Sequence, residues 1–213
     1  MAAPASRLAA WAERRLPALT RLRRAEDLPV TLGRRRIYIL PTRFGAGFAL
    51  LLAVMLTGAL NYANNAALLL TCLVGGASAA SMFTAFRTLH RLRLVAIRAG
   101  HAVAGEALEI TLEFDAPRAA SGLRVSLAGE VRAFALEARA TGTLTHHVAT
   151  VRRGWQELPR LKLWTTWPLG LFRAWSWVHP RQAVLVWPRA EAAGPAPRGA
   201  SNTAHRTRLH RGD

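Results

Sequence analysis

The sequence predicts an α+β membrane protein in which a two-helix transmembrane hairpin is followed by an all-β immunoglobulin-like sandwich domain. The hairpin is predicted by a run from Phe44 to Phe86 that contains no charged residue. The sandwich is predicted by a period-two alternation of apolar and polar residues, interrupted by turn formers, that begins near Leu92. A hydrophobic content of 51% alongside a net charge of +17 agrees with a membrane segment joined to a basic domain.

Residues 1–43 are predicted to form a basic juxtamembrane segment in the cytoplasm. Arginines are interleaved with apolar residues such as Leu8, Trp11 and Leu19 at roughly helical spacing. Such a pattern is typical of a helix lying on an anionic membrane surface, although a disordered basic tail has the same composition.

The charge-free run is long enough for two crossings, because one crossing helix needs about 20 apolar residues. We predict the crossings at 44–60 and 66–86, within a hairpin of 44–86. The polar residues 61–65 (NYANN) would form the turn between them.

Arginines flank the hairpin at both ends, and its central turn has none. The positive-inside rule therefore places both termini in the cytoplasm. The residues that we expect to set this topology are Arg34, Arg35, Arg36, Arg43, Arg87, Arg91 and Arg93.

Residues 92–187 are predicted to form the β-sandwich-like cytoplasmic domain. Leu108, Ile110, Leu112 and Phe114 alternate with polar residues, as expected for a half-buried strand. Residues 188–213 are rich in Pro, Ala and Gly at their start, which predicts a linker and a disordered tail.

No catalytic or metal-binding pattern is visible. Cys72 is the single cysteine, and His146 and His147 would point to opposite faces of a strand. We therefore predict a protein that is not an enzyme, with no catalytic residue, cofactor or metal.

Six of the seven tryptophans lie between Trp155 and Trp187. We expect them to belong to the core, with an interface as the alternative. Trp175 and Trp177 would share one strand face. Nearby basic residues leave a nucleic-acid platform as a third and least favoured interpretation.

Two segments carry a resemblance to a known family. Residues 34–76 (RRRIYILPTRFGAGFALLLAVMLTGALNYANNAALLLTCLVGG) and residues 155–178 (WQELPRLKLWTTWPLGLFRAWSWV) resemble the recurring segments of the bacterial domain-of-unknown-function 58 family. The resemblance covers about 28–188. It implies a multi-pass protein of the bacterial inner membrane with a β-sandwich-like cytoplasmic insert.

The family's further C-terminal domain has no counterpart here, so the chain resembles a fragment or a frameshift product ending near residue 200. Family members are often encoded beside MoxR-type AAA ATPases. The resemblance therefore implies a non-enzymatic scaffold or accessory protein that tethers such an ATPase, with other membrane proteins as further partners.

The alternative function is a basic module at the membrane surface that binds anionic lipid or nucleic acid, with nucleic acid the less favoured ligand. A third hypothesis is an enzyme subunit whose active residues lie in the absent part. The candidate interaction surface, which a tight structural turn explains equally well, comprises Pro168, Leu169, Gly170, Leu171, Phe172, Trp175 and Trp177.

Overall fold

The computed structural model describes residues 25–150 and 152–189. Two long helices, α1 (Arg43–Asn61) and α2 (Asn65–Leu89), form a hairpin. The strands before the hairpin are β1 (Val30–Thr31) and β2 (Tyr38–Pro41), separated by a 3-10 turn at Arg34–Arg36. The strands after it are β3 (Arg93–Ala99), β4 (Ala102–Val103), β5 (Ala107–Asp115), β6 (Ala120–Leu127), β7 (Glu130–Leu136), β8 (Thr141–Ala149), β9 (Gly154–Glu157), β10 (Leu161–Thr165), β11 (Phe172–Val178) and β12 (Ala183–Trp187).

The strands form three sheets. The four-stranded sheet has the order β1-β3-β5-β8 and the five-stranded sheet the order β2-β11-β10-β6-β7, both with antiparallel pairing. A smaller three-stranded sheet has the order β4-β12-β9. The four- and five-stranded sheets bury their apolar faces in one core, and Phe114 stacks on Phe134 across it at 4.9 Å between ring centroids. The arrangement is β-sandwich-like.

Both helices are long and apolar enough to cross a membrane. In the most apolar 18-residue stretch of each helix, only 11% of α1 and 17% of α2 is buried. A core helix of a soluble protein would be mostly buried. At 1.5 Å per residue the 19 residues of α1 extend about 28 Å, close to the thickness of a bilayer's hydrocarbon core.

The β domain begins earlier in the chain than the predicted range 92–187. Strand β1 pairs with β3 and strand β2 pairs with β11, so that residues within the predicted segment 1–43 belong to the sheets. Strands β1 and β2 have only two and four residues, which is too short for an alternation of apolar and polar residues to be recognised. The arginine-rich stretch before residue 25 and the tail after residue 189 lie outside the described residues.

The C-terminal end of the hairpin, the last turn of α2, packs into the β domain. Helix α2 continues three residues past the predicted end at Phe86, and Ala85 and Leu89 are buried in the same core as the sheets. Fully burying a leucine side chain contributes about 1.5–3 kcal/mol. The last turn of α2 is therefore a core element of the β domain.

The first end of the hairpin is held by the turn that precedes β11. The backbone N–H of Thr42 donates to the Leu171 carbonyl at 2.8 Å, and the Thr42 hydroxyl donates to the Gly170 carbonyl at 2.7 Å. The same hydroxyl oxygen accepts from Gly45 N–H at 3.0 Å and caps α1. One threonine thus joins a helix start to a turn 128 positions away.

Close backbone approach at this junction requires a glycine at position 45. A Cβ built on Gly45 would overlap the carbonyl oxygen of Leu171, whereas a Cβ on Gly47 would meet nothing within 4 Å. Gly45→Ala is expected to destabilise the junction by about 1–3 kcal/mol through overpacking. Thermal unfolding followed by tryptophan fluorescence in detergent measures the change.

Gly47→Ala is the matched control on the same helix. It is expected to be neutral or to stabilise by up to about 1 kcal/mol, because alanine favours helix more than glycine. Equal midpoints for the two variants would contradict the packing described for Gly45.

Candidate interaction surfaces

The sequence-predicted surface 168–172 divides between the junction and solvent. Gly170, at φ +71°, closes a turn by donating its N–H to the Thr166 carbonyl at 2.9 Å. Leu171 is buried against the start of α1, while Leu169 remains exposed beside Trp167. The turn therefore has a structural role at the hairpin base, and the two exposed apolar side chains lie at the same end of the domain.

The expectation that the tryptophans belong to the core is wrong for Trp155 to Trp187. None of these six is buried, and the inner faces of β10 and β11 carry Leu161, Leu163, Ala174 and Ser176 instead. Helix α2 packs against both strands, which leaves room at the centre only for small or aliphatic residues.

Trp175 and Trp177 lie on the outer face of the five-stranded sheet, as their spacing predicts. Trp175 pairs with Trp164 across the strands and stacks on Tyr38 at 4.7 Å between ring centroids. Lys162, the single lysine, places its Nζ at 5.8, 6.0 and 5.5 Å from the ring centroids of Trp164, Trp175 and Trp177. These separations allow cation–π attraction.

A groove of about 590 Å³ opens from this aromatic face toward the start of α1. Its cationic side chains are Arg43, Lys162 and Arg173, and Leu40 and Trp175 supply apolar surface. In the described part of the chain, none of the three cations has a carboxylate within ion-pair distance. The groove therefore has a concentrated positive charge.

A second basic cleft, of about 470 Å³, lies beside the end of α2. Arg91, Arg93 and Arg139 line it, but Asp115 lines it as well and pairs with Arg93 at 3.9 Å. This cleft is therefore partly neutralised.

The arginines expected to set topology lie around the hairpin base. Arg36 is paired with Glu26, and Arg87 lies 5.6 Å from the ring centroid of Phe83. Arg34, Arg35, Arg43 and Arg91 are exposed. The tip of the hairpin at Tyr62–Asn64 carries no charge.

A patch of exposed apolar residues, here called the distal patch, lies on the three-stranded sheet. It consists of Trp155, Leu185 and Trp187, and sequence analysis did not identify it as a surface. Trp155 is 74% and Trp187 52% exposed, and Leu185 pairs with Trp155 across the strands. Val184 and Val186 alternate with Leu185 and Trp187 along β12, and because both sets are apolar the sequence does not indicate which face is uncovered.

His146 and His147 point to opposite faces, as predicted. His146 is fully buried, whereas His147 is exposed. His146 Nδ1 lies 3.5 Å from a carboxylate oxygen of Glu130. Burial disfavours the imidazolium and lowers the pKa of His146, although the Glu130 carboxylate opposes this shift. The pKa of Glu130 is itself lowered, first by the His147 N–H that donates to it at 2.7 Å.

Within residues 25–150 and 152–189, no group of three or more His, Cys, Asp or Glu side chains is arranged to hold a metal ion. No protein family, curated protein or solved structure matches the chain.

Acidification is expected to destabilise the fold through His146. Below the ordinary histidine pKa of about 6.5 the unfolded chain binds a proton that the folded chain does not. The free energy of unfolding should therefore fall as the pH drops from about 6.5 toward the lowered folded-state pKa. Thermal unfolding midpoints measured across this range test the effect.

His146→Leu should give a shallower fall in the midpoint, because the buried titrating group is gone. His147→Leu, which alters the exposed neighbour, should keep the wild-type slope. The same slope in His146→Leu as in the wild type would show that His146 is not responsible.

Proposed function

We propose that this chain is a non-enzymatic scaffold of the bacterial inner membrane that holds a cytoplasmic partner close to the bilayer. The hairpin supports this proposal because β2 leads into α1 and α2 leads into β3, and both strands belong to the same domain. Two crossings then leave the domain on one side and the tip Tyr62–Asn64 on the other. The arginines around the base favour the cytoplasm for the domain.

The distal patch is the observation that carries the scaffold function. Strand β3 starts just after α2, and its seven residues run about 23 Å away from the hairpin base. Strand β4 follows at that far end and pairs with β12, which bears Leu185 and Trp187. The distal patch therefore lies at the end of the domain far from the hairpin base, where a partner on the domain's side of the membrane can reach it.

Tryptophan side chains dominate the energetics of many protein interfaces, and exposed apolar patches mark such sites. The resemblance of residues 34–76 and 155–178 to the domain-of-unknown-function 58 family supports a MoxR-type AAA ATPase as the partner. An immunoglobulin-like classification of the sandwich is part of the same proposal, supported by antiparallel sheets of four and five strands around one core.

The experiment is affinity purification of the tagged chain from gently solubilised native membranes, followed by mass spectrometry. We expect recovery of an AAA-type ATPase. The double variant Trp155→Ser/Trp187→Ser should reduce that recovery at least ten-fold, since truncating an interface hot spot costs about 2 kcal/mol or more.

Val131→Ser is the control, because Val131 is an exposed apolar residue on strand β7 of a different sheet. It should leave recovery of the ATPase unchanged. The proposed docking surface would be refuted if no ATPase were recovered. It would also be refuted if the wild type, the double tryptophan variant and Val131→Ser gave equal yields of the ATPase.

A further inference from the structure

With α1 crossing the bilayer as proposed above, the groove beside its start lies next to the lipid headgroups. Pro41, two residues before α1, pairs with Phe172, and Arg173 follows directly. Trp175 lies three residues beyond Phe172, which corresponds to about 10 Å along a strand. A headgroup layer is roughly 5–8 Å thick, as the difference between the whole bilayer and its hydrocarbon core indicates, so the groove extends from this layer to just beyond it.

The charge of the groove selects an anion. Arg43, Lys162 and Arg173 line it together, and no acidic residue does. Clustered cations repel one another, and an anion bound between them offsets this repulsion. The cleft beside α2 differs in this respect, because Asp115 already supplies a carboxylate there.

The walls of the groove suit a lipid better than a nucleotide strand. Trp175 is occupied by stacking on Tyr38, and Lys162 Nζ lies near the rings of Trp164, Trp175 and Trp177. Stacking of bases needs free aromatic faces. Leu40 is exposed at the groove, and Trp167 and Leu169 are exposed in the turn at the hairpin base, as expected for side chains at a membrane interface.

We infer that this groove binds the phosphate headgroup of an anionic phospholipid from the leaflet that α1 enters. Arg43 and Arg173 contact the phosphate at the membrane edge. Lys162 contacts the part of the headgroup that lies farther into the groove. This lipid site requires the membrane anchoring proposed above, but it does not depend on the ATPase partner.

The test uses the full chain purified in a neutral detergent and titrated with phosphatidylglycerol, with bound lipid counted by native mass spectrometry. Phosphatidylcholine, whose zwitterionic headgroup carries a phosphate but no net charge, serves as the comparison. Each cation near an anionic surface contributes roughly a five-fold factor in affinity. The double variant Lys162→Gln/Arg173→Gln should therefore bind phosphatidylglycerol about 25-fold more weakly.

Arg124→Gln is the matched control. Arg124 lies on the same sheet opposite Trp164 and is exposed, but it does not line the groove. The Arg124→Gln variant lacks one positive charge outside the groove and should retain wild-type lipid binding. A thermal unfolding midpoint for each variant shows that it has folded.

Equal phosphatidylglycerol binding by the wild type and the double variant would overturn the lipid site. Displacement of the lipid by inorganic phosphate at a similar concentration would assign the groove to free phosphate instead. Tighter binding of a single-stranded oligonucleotide at the same residues would assign it to nucleic acid. Absence of phosphatidylglycerol binding by a wild-type chain that still fractionates with membranes and recovers the ATPase would overturn the lipid site alone.

Discussion

The junction between the start of α1 and the turn before β11 determines how the hairpin meets the β domain. Thr42 donates to two carbonyls of that turn, and Gly45 allows the helix backbone to approach Leu171. Helix α2 completes the connection because Leu89 lies in the domain core. With both helices fixed to one domain, the strands, the basic groove and the distal patch acquire defined positions relative to the apolar helices.

This arrangement gives the domain two chemically different ends. The end beside the helices carries arginines, Lys162 and exposed interfacial side chains such as Trp167. The far end carries Trp155 and Trp187 on a small sheet that nothing in the described chain covers. Positive charge at one end and apolar surface at the other are the two features on which the proposed lipid site and the proposed partner contact rest.

The sequence predicted the helices well because a charge-free apolar run as long as 44–86 is stable only in a membrane or in a large protein core. Alternation likewise located strands such as β5. It could not choose which face of β11 is buried, since Trp175 and Trp177 are more apolar than Ala174 and Ser176. The inner face is small because α2 packs there, and that contact joins distant parts of the chain. The groove and the Thr42 junction depend on pairings of the same long range.

The most direct test of the account is the sidedness of the hairpin. Cys72 is the single cysteine, so Cys72→Ser provides a cysteine-free background. In it, Tyr62→Cys marks the hairpin tip and Ala133→Cys marks an exposed position on the domain. With a membrane-impermeant maleimide on intact spheroplasts, we expect labelling at position 62 and none at position 133 until lysis. Labelling of both positions from the same side would contradict a hairpin that crosses the membrane.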